Sequence, residues 1–309
     1  MAANAPFDVS DAAIREQLTT RAIRLHDGRR LAYTELGDLD GVPIIHQHGM
    51  PGSRLDHEAE PDFYRLLGVR VITPDRPGYG LSDPDPHRRL LDWPSDVAEL
   101  ADHLGIPRFG ITALSGGGIY ALACAVAIPH RLTNVVVTGC PGPMDRKGAL
   151  IDMRFMTRAG VWLGSRAPWL LETGATLLSR LVRRYPRFFV DHFNEGLPPA
   201  DRRWLSTPSV NRGAVDTLRE ALRPGAWGYV QDIRVLARPW GFALEDIQVP
   251  VQLWHGDEDR VIPLHHGRYL ASVIPGATLR ICPGEAHMLM WNHLADILCA
   301  AAGTPDRAR

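Results

Sequence analysis

The chain has 309 residues, enough to bury roughly three quarters of its unfolded surface in one large domain or two smaller ones. Hydrophobic residues make up 45% and charged residues 22%, ordinary values for a globular protein. The net charge of −1 excludes the basic excess that general nucleic-acid or membrane-surface binding needs, and no run approaches about 18 uninterrupted apolar residues, so no membrane insertion is expected.

In chain order, the opening residues "MAANAPFDVSDAAIREQ" have neither a basic nor an apolar signal region, so a cytoplasmic location is expected. Ile14 and Leu18 give residues 1–20 a helical period, expected as an appended helix or an oligomer contact. The runs "AIRLHDG" and "RRLAYTELGD" meet at Asp27-Gly28, a hairpin signal. Strands then alternate with helices. After the strand "VPIIHQHG" come helix 56–68, strand 69–75, helix 92–105 with a start at Asp92 or Ser95, and strand 108–115. The helix "IYALACAVAI" and strand 132–140 follow.

From about 144 to 240 the alternation stops, and the pattern is helical, rich in Arg and Trp, and broken by prolines. It resumes with strand 249–256, helix 264–274, strand 277–284 and a last helix near 290–301. A hairpin followed by β-α units predicts an α/β protein with a mostly parallel, doubly wound sheet and right-handed crossovers. The helical block is then an insertion between two late strands. Four cysteines, Cys124, Cys140, Cys282 and Cys299, lack metal spacing and are expected as buried, reduced thiols.

Open α/β sheets bind ligands at the carboxyl ends of their strands, and the chemistry-bearing residues cluster there. Ser115 sits in Ala113-Leu114-Ser115-Gly116-Gly117. Small residues on both sides permit a sharp strand-to-helix turn that exposes a hydroxyl. On this pentapeptide alone, a nucleophile and a helix cap are equally good readings. A serine nucleophile needs a base, and the base needs an orienting carboxylate. An acid loop, Gly256-Asp257-Glu258-Asp259, follows one late strand, and Gly284-Glu285-Ala286-His287 follows the next. The order Ser, acid, His favours the nucleophile.

With the runs "HQHGMPGSR" (46–54), "PDRPGYGLSD" (74–83), "ALSGG" (113–117), "HGDEDRVIP" (255–263) and "GEAH" (284–287), the chain resembles the α/β-hydrolase fold family over residues 21–302. It resembles the capped, serine-nucleophile, esterase-like branch, since Ser stands where dehalogenases and epoxide hydrolases of the family carry Asp. Ala113 and Ala286 depart from the family, where Gly is commoner at both positions. The resemblance implies Ser115, Asp259 and His287 as the catalytic set, with Asp257 and Glu258 as exposed loop charges. It also implies an oxyanion hole from the backbone N–H groups of Met50 and Gly116, while His48 is expected to bond nearby backbone. Asp75 and Arg76 are expected as turn and ion-pair residues. His265, His266 and His293 fall on predicted helices and are expected to have packing or surface roles.

The resemblance further implies a core over 21–143 and 241–302, a cap over 144–240 and a tail over 303–309. Met50, Leu114, Trp162 and Trp227 are expected to line the substrate pocket. Residues 144–240 carry 16 basic and nine acidic side chains, an excess that reads as a solvated face more readily than as an anion site. The absence of HExxH, Walker and GxGxxG motifs points to no metal and no cofactor. The expected partner is a small molecule, with oligomerisation open. The expected reaction is hydrolysis of a carboxylic ester of small or medium apolar character through an acyl-enzyme, with amide or C–C hydrolysis less favoured. Perhydrolase, haloperoxidase-like or lyase chemistry on the same residues, or a ligand-binding protein with a vestigial site, are the alternatives.

Overall fold

A computed structural model describes residues 20–56 and 61–304. The expected extension before Arg21 lies outside the described residues apart from Thr20, as do most of the expected tail and residues 57–60 of the expected helix 56–68.

A hairpin of β1 (Arg21–Arg24) and β2 (Arg30–Gly37) opens the chain, and β3 (Val42–Gln47), α1 (Pro61–Leu66) and β4 (Val69–Pro74) follow. Next come α2 (Trp93–His103), β5 (Phe109–Leu114), α3 (Gly117–Ala127) and β6 (Leu132–Thr138). The sheet ends with β7 (Val251–Gly256), α10 (His265–Val273), β8 (Thr278–Cys282) and α11 (Met290–Ala302). The eight strands are ordered β1-β2-β4-β3-β5-β6-β7-β8. The β1–β2 and β2–β4 pairs are antiparallel, and the other five are parallel.

Period-two alternation makes this sheet two-faced. Ile45, Ile72, Val135 and Val137 join one core with Val97 and Leu100 of α2, Ile119 and Leu122 of α3, and Leu270 of α10. Their neighbours Ile44, Val71 and Val136 face the other way, onto Tyr64 of α1 and Leu294, Ile297 and Leu298 of α11. Strands buried on both faces need continuous apolar runs, which is what the sequence supplies.

Register aligns the carboxyl ends of the central strands. Gln47 pairs with Ala113, Leu114 with Thr138, Thr138 with Trp254, and Gly256 with Cys282. Whatever follows these residues therefore meets at one edge of the sheet.

Between β6 and β7 the chain forms six helices: α4 (Phe155–Arg166), α5 (Pro168–Arg184), α6 (Pro186–Glu195), α7 (Pro199–Leu205), α8 (Pro208–Ala221) and α9 (Trp227–Leu236). Proline occupies the first turn of α5, α6, α7 and α8, where its missing N–H costs nothing. Leu171 of α5 and Val230 and Ile233 of α9 form one small core, and Leu197, Leu205 and Val210 form another that reaches Val261, Met288 and Trp291. Much of the Arg excess faces solvent, including Arg158, Arg166, Arg180, Arg184 and Arg187. Cys124, Cys140, Cys282 and Cys299 are free and buried. No described helix is long and apolar enough to cross a membrane.

Candidate active site

Three strand ends deliver Ser115, Asp259 and His287 to the same edge. Ser115 directly follows β5 and has φ 55°, a left-handed conformation that costs a non-glycine residue about 1–2 kcal/mol. Its backbone is held on both sides: the Ser115 N–H donates to Thr138 O at 2.8 Å, and its carbonyl accepts from the Gly118 N–H at 2.9 Å. The N-cap of α3 is Gly116, and no side chain caps the helix, so the helix-cap role open at Ser115 is not the one it plays. Its hydroxyl makes no hydrogen bond to a described residue, His287 included, and is free to rotate.

The turn is crowded. A Cβ on Gly117 would overlap the carbonyl oxygens of Gln47 and His48, and one on Gly116 would overlap the Met50 side chain. At Gly117, backbone this close to β3 leaves room for glycine only.

Asp259 is buried after β7. Its Oδ1 accepts the N–H groups of Val261 at 2.8 Å and Ile262 at 2.9 Å, and its Oδ2 lies 2.7 Å from His287 Nδ1. A carboxylate can only accept, so Nδ1 carries the proton and Nε2 is left as the basic nitrogen. Burial works against a charged imidazole, but the charge and hydrogen bond of Asp259, helped by the charge of Asp201, outweigh it and raise the His287 pKa above the usual histidine value. Gly139, with φ 55° just after β6, lies against the pair: a Cβ there would stand 3.0 Å from His287 Nδ1 and 3.4 Å from Asp259 Oδ2. Behind Asp259, His255 donates from Nε2 to Ile262 O at 2.7 Å, and burial lowers its pKa. The neighbouring loop acids stand apart. Asp257 and Glu258 are exposed, and Asp257 accepts the Gly284 N–H at 2.8 Å.

The loop after β3 supplies the other side of the site. Among the described residues, the N–H groups of Met50 and Gly116 donate to no protein acceptor. His48 is turned away from chemistry: its Nδ1 donates to Gly49 O at 2.9 Å, its Nε2 accepts the Arg76 N–H at 3.2 Å, and burial holds it well below the usual histidine pKa. Arg76 brackets this loop, donating from Nη1 to His48 O at 2.5 Å and from Nη2 to Gly49 O at 2.8 Å. Asp75, its neighbour, pairs with Arg54 at 2.8 Å. His265 and His266 lie on α10 and His293 on α11, and His266 Nδ1 accepts the Gly142 N–H at 3.0 Å.

Two residues of the insertion, unmarked in the sequence, bond to the segments that carry the site. Asp232 of α9 accepts from Arg76, Arg88, Tyr79 and Tyr120 while fully buried. Asp201 of α7 accepts the backbone N–H groups of His287 and Met288.

A cavity of about 1170 Å³ opens over these residues. Met50, Leu114, Ser115, Gly116 and His287 line its floor, and the insertion helices wall it with residues such as Leu178, Val182, Phe189, Val210, Tyr229 and Ile233. Of the four expected pocket residues, Met50 and Leu114 line it and the two tryptophans do not. Trp162 is 56% exposed on the outer face of α4, and the Trp227 ring packs against Gly78 instead. Among the described residues no cluster of His, Cys, Asp and Glu is arranged to hold a metal.

The family model described as the alpha/beta hydrolase fold matches residues 42–294. The chain belongs to the α/β-hydrolase fold family. This α/β hydrolase is 26% identical over 273 residues to the non-heme chloroperoxidase of Streptomyces lividans, covering 86% of this chain and 92% of that one. It is 27% identical over 317 residues to a proline iminopeptidase of Xylella fastidiosa, covering 89% and 92%. Its fold matches that of the esterase RhEst1 from Rhodococcus sp. ECU1013, with a TM-score of 0.67, 19% identity, and coverage of 93% and 99%.

Proposed function

We propose that this α/β hydrolase is a serine hydrolase that cleaves a carboxylic ester of an apolar substrate through an acyl-enzyme. One observation carries the reading: a buried Asp259–His287 pair joined at 2.7 Å borders the same cavity as a serine held in a left-handed turn.

Each group then has one task. His287 Nε2 takes the Ser115 proton as the oxygen attacks the ester carbonyl. Asp259 fixes the ring's tautomer and stabilises the imidazolium. The Met50 and Gly116 N–H groups, otherwise undonated, receive the oxyanion, and each such donor typically contributes roughly 10²–10³ in rate. The alcohol leaves with the proton from His287. Water, activated by the same imidazole, releases the acid.

Residues 144–240 act as a cap over a small-molecule substrate. A cavity of about 1170 Å³ with mainly apolar walls stands just above the roughly 300–1,000 Å³ common for ligand sites. It suits a bulkier apolar ester than the small or medium one suggested by the sequence. Four unpaired thiols suit a reducing, cytoplasmic setting.

A p-nitrophenyl ester series tests the reaction and the pocket together. The rate constant kcat/KM should rise from acetate through acyl chains of about eight carbons as apolar surface is buried, about 0.8 kcal/mol per methylene at most. No turnover at any length would overturn the ester assignment. The similarity to a chloroperoxidase supports one second reading, perhydrolysis of a short acid by the same residues; peroxide-dependent oxidation outpacing ester hydrolysis would favour it.

A further inference from the structure

Asp201 has no role in the reaction just described, yet it is among the most deeply buried carboxylates of the chain, at 1% exposure. It is the third residue of α7, a position where an acid ordinarily serves its own helix's first turn. Instead, the side chain reaches across to the loop after β8. Oδ2 accepts the His287 N–H at 3.1 Å, and Oδ1 accepts the Met288 N–H at 2.7 Å.

We infer that Asp201 is a positioning residue for the proposed general base, so that the insertion completes the catalytic centre as well as walling the pocket. The inference rests on the assignment of His287 as that base.

Three observations support it. The two bonds run to consecutive amides, which fixes the peptide plane from which the imidazole hangs, while Asp259 fixes the ring at Nδ1. The ionisable groups acting on the imidazole are Asp259, with His255 behind it, and Asp201, whose carboxylate sits against the backbone of His287 and Met288. Burial, helped by the charge of Asp259, raises the Asp201 pKa, and the charge of His287 and the two N–H donors work against that rise. A second negative charge then stabilises the imidazolium as it forms. Finally, the contact is sealed. Leu205 of α7 and Val210 of α8 cluster with Val261, Met288 and Trp291, keeping solvent from the carboxylate.

A purely structural tie between insertion and core would look alike in the ground state, but it predicts loss of stability without a change in the base. The experiment uses the full chain with Asp201→Asn, which keeps the shape but removes the charge and one of the two acceptors, and Asp201→Ala, which removes both acceptors. Wild type and variants are compared by thermal unfolding, by fluorophosphonate labelling and by kcat/KM against pH on a p-nitrophenyl ester. D201N should unfold cooperatively and still label at Ser115. Its kcat should fall about 10- to 100-fold with KM within about threefold, the signature of a misplaced reacting group. The acidic limb of its kcat/KM profile should move down by about half a pH unit or more, because a charge favouring the imidazolium is gone. D201A should lose more activity than D201N; if it fails to fold, D201N alone decides. An unmoved limb and an unchanged kcat in folded D201N overturn the inference and leave the ester hydrolase standing. A wild type that neither labels nor hydrolyses overturns both.

Discussion

Arg76 and Asp232 are joined by two hydrogen bonds, from Nε at 3.1 Å and Nη2 at 2.8 Å, with neither side chain exposed. The pair connects α9 of the insertion to the loop after β3, because the same guanidinium also holds the carbonyls of His48 and Gly49. Removing one partner of a buried pair strands the other, which typically costs about 3–5 kcal/mol. Asp232→Ala strands both Arg76 and Arg88, so its unfolding free energy, from the urea midpoint and slope, should drop by an amount in that range. The remaining folded protein should also lose kcat, since the loop that carries the proposed Met50 oxyanion donor has lost its brace. A variant of wild-type stability would show that the network is dispensable.

Gly116 and Met50 are set too close for any side chain between them. Gly116→Ala should fold, because the obstacle is a flexible thioether, yet it must displace the residue whose N–H is assigned to the oxyanion. A loss of about 10-fold or more in kcat is expected, set against the roughly 10²–10³ of a whole donor. Met50→Ala should restore part of it by making room. A double-mutant cycle with no coupling between the two positions would contradict this geometry.

The pH dependence of activity follows from His287. Burial would lower its pKa, but Asp259 and Asp201 outweigh burial and raise it, so the proposed base is protonated at higher pH than an ordinary imidazole. The acidic limb of kcat/KM should therefore lie above about 6.5. Asp259→Asn should cut kcat by about 10³–10⁴ and move the limb down. For stability the sign is opposite to that of an ion-paired carboxylate. The raised His287 pKa stabilises the fold below the unfolded value of about 6.5, and the contribution is lost as pH rises through the folded value. A limb below pH 6 in the wild type would contradict the account.

Asp56 borders the cavity with Oδ2 3.2 Å from the Gly49 N, which donates to it. Burial lifts its pKa to about 6, against the pull of the Gly49 N–H and the Arg76 charge. Its folded pKa thus exceeds the unfolded one, so stability is fullest below about pH 4 and is lost as pH rises through 6. Asp56→Asn keeps the acceptor and removes the charge. It should stabilise the protein by about 1–2 kcal/mol at pH 8 and by almost nothing at pH 4. Equal effects at the two pH values, read by urea unfolding, would refute this.

Local pattern carried most of the fold into view. Apolar runs ending in Gly or Pro located β3 through β8, and Asp92 and Gly105 bracketed a helix that forms over Trp93–His103. Ser115, Asp259 and His287 could be singled out for the same reason: they stand one, three and five residues past the ends of β5, β7 and β8, where short turns leave a sequence trace. Asp201 and Asp232 left none. Their partners lie 86 and 156 residues away, and each looks locally like any helical acid; burial alone sets them apart. Trp162 and Trp227 failed differently. Residue type marks a tryptophan as apolar, but which way its helix turns is decided by tertiary packing. The insertion, lacking strands to fix its register, offers little local evidence of that packing.

The central claim is that Ser115 is a nucleophile activated by His287. Incubation of wild type, Ser115→Ala and His287→Ala with a fluorophosphonate, read by intact-protein and peptide mass spectrometry, tests it most directly. The account predicts one adduct on the wild type, located at Ser115, none on folded Ser115→Ala, and labelling of His287→Ala slowed by about 10²–10⁴, the usual contribution of a general base. An adduct that persists on Ser115→Ala, or a wild type that stays unlabelled while folded, would contradict it.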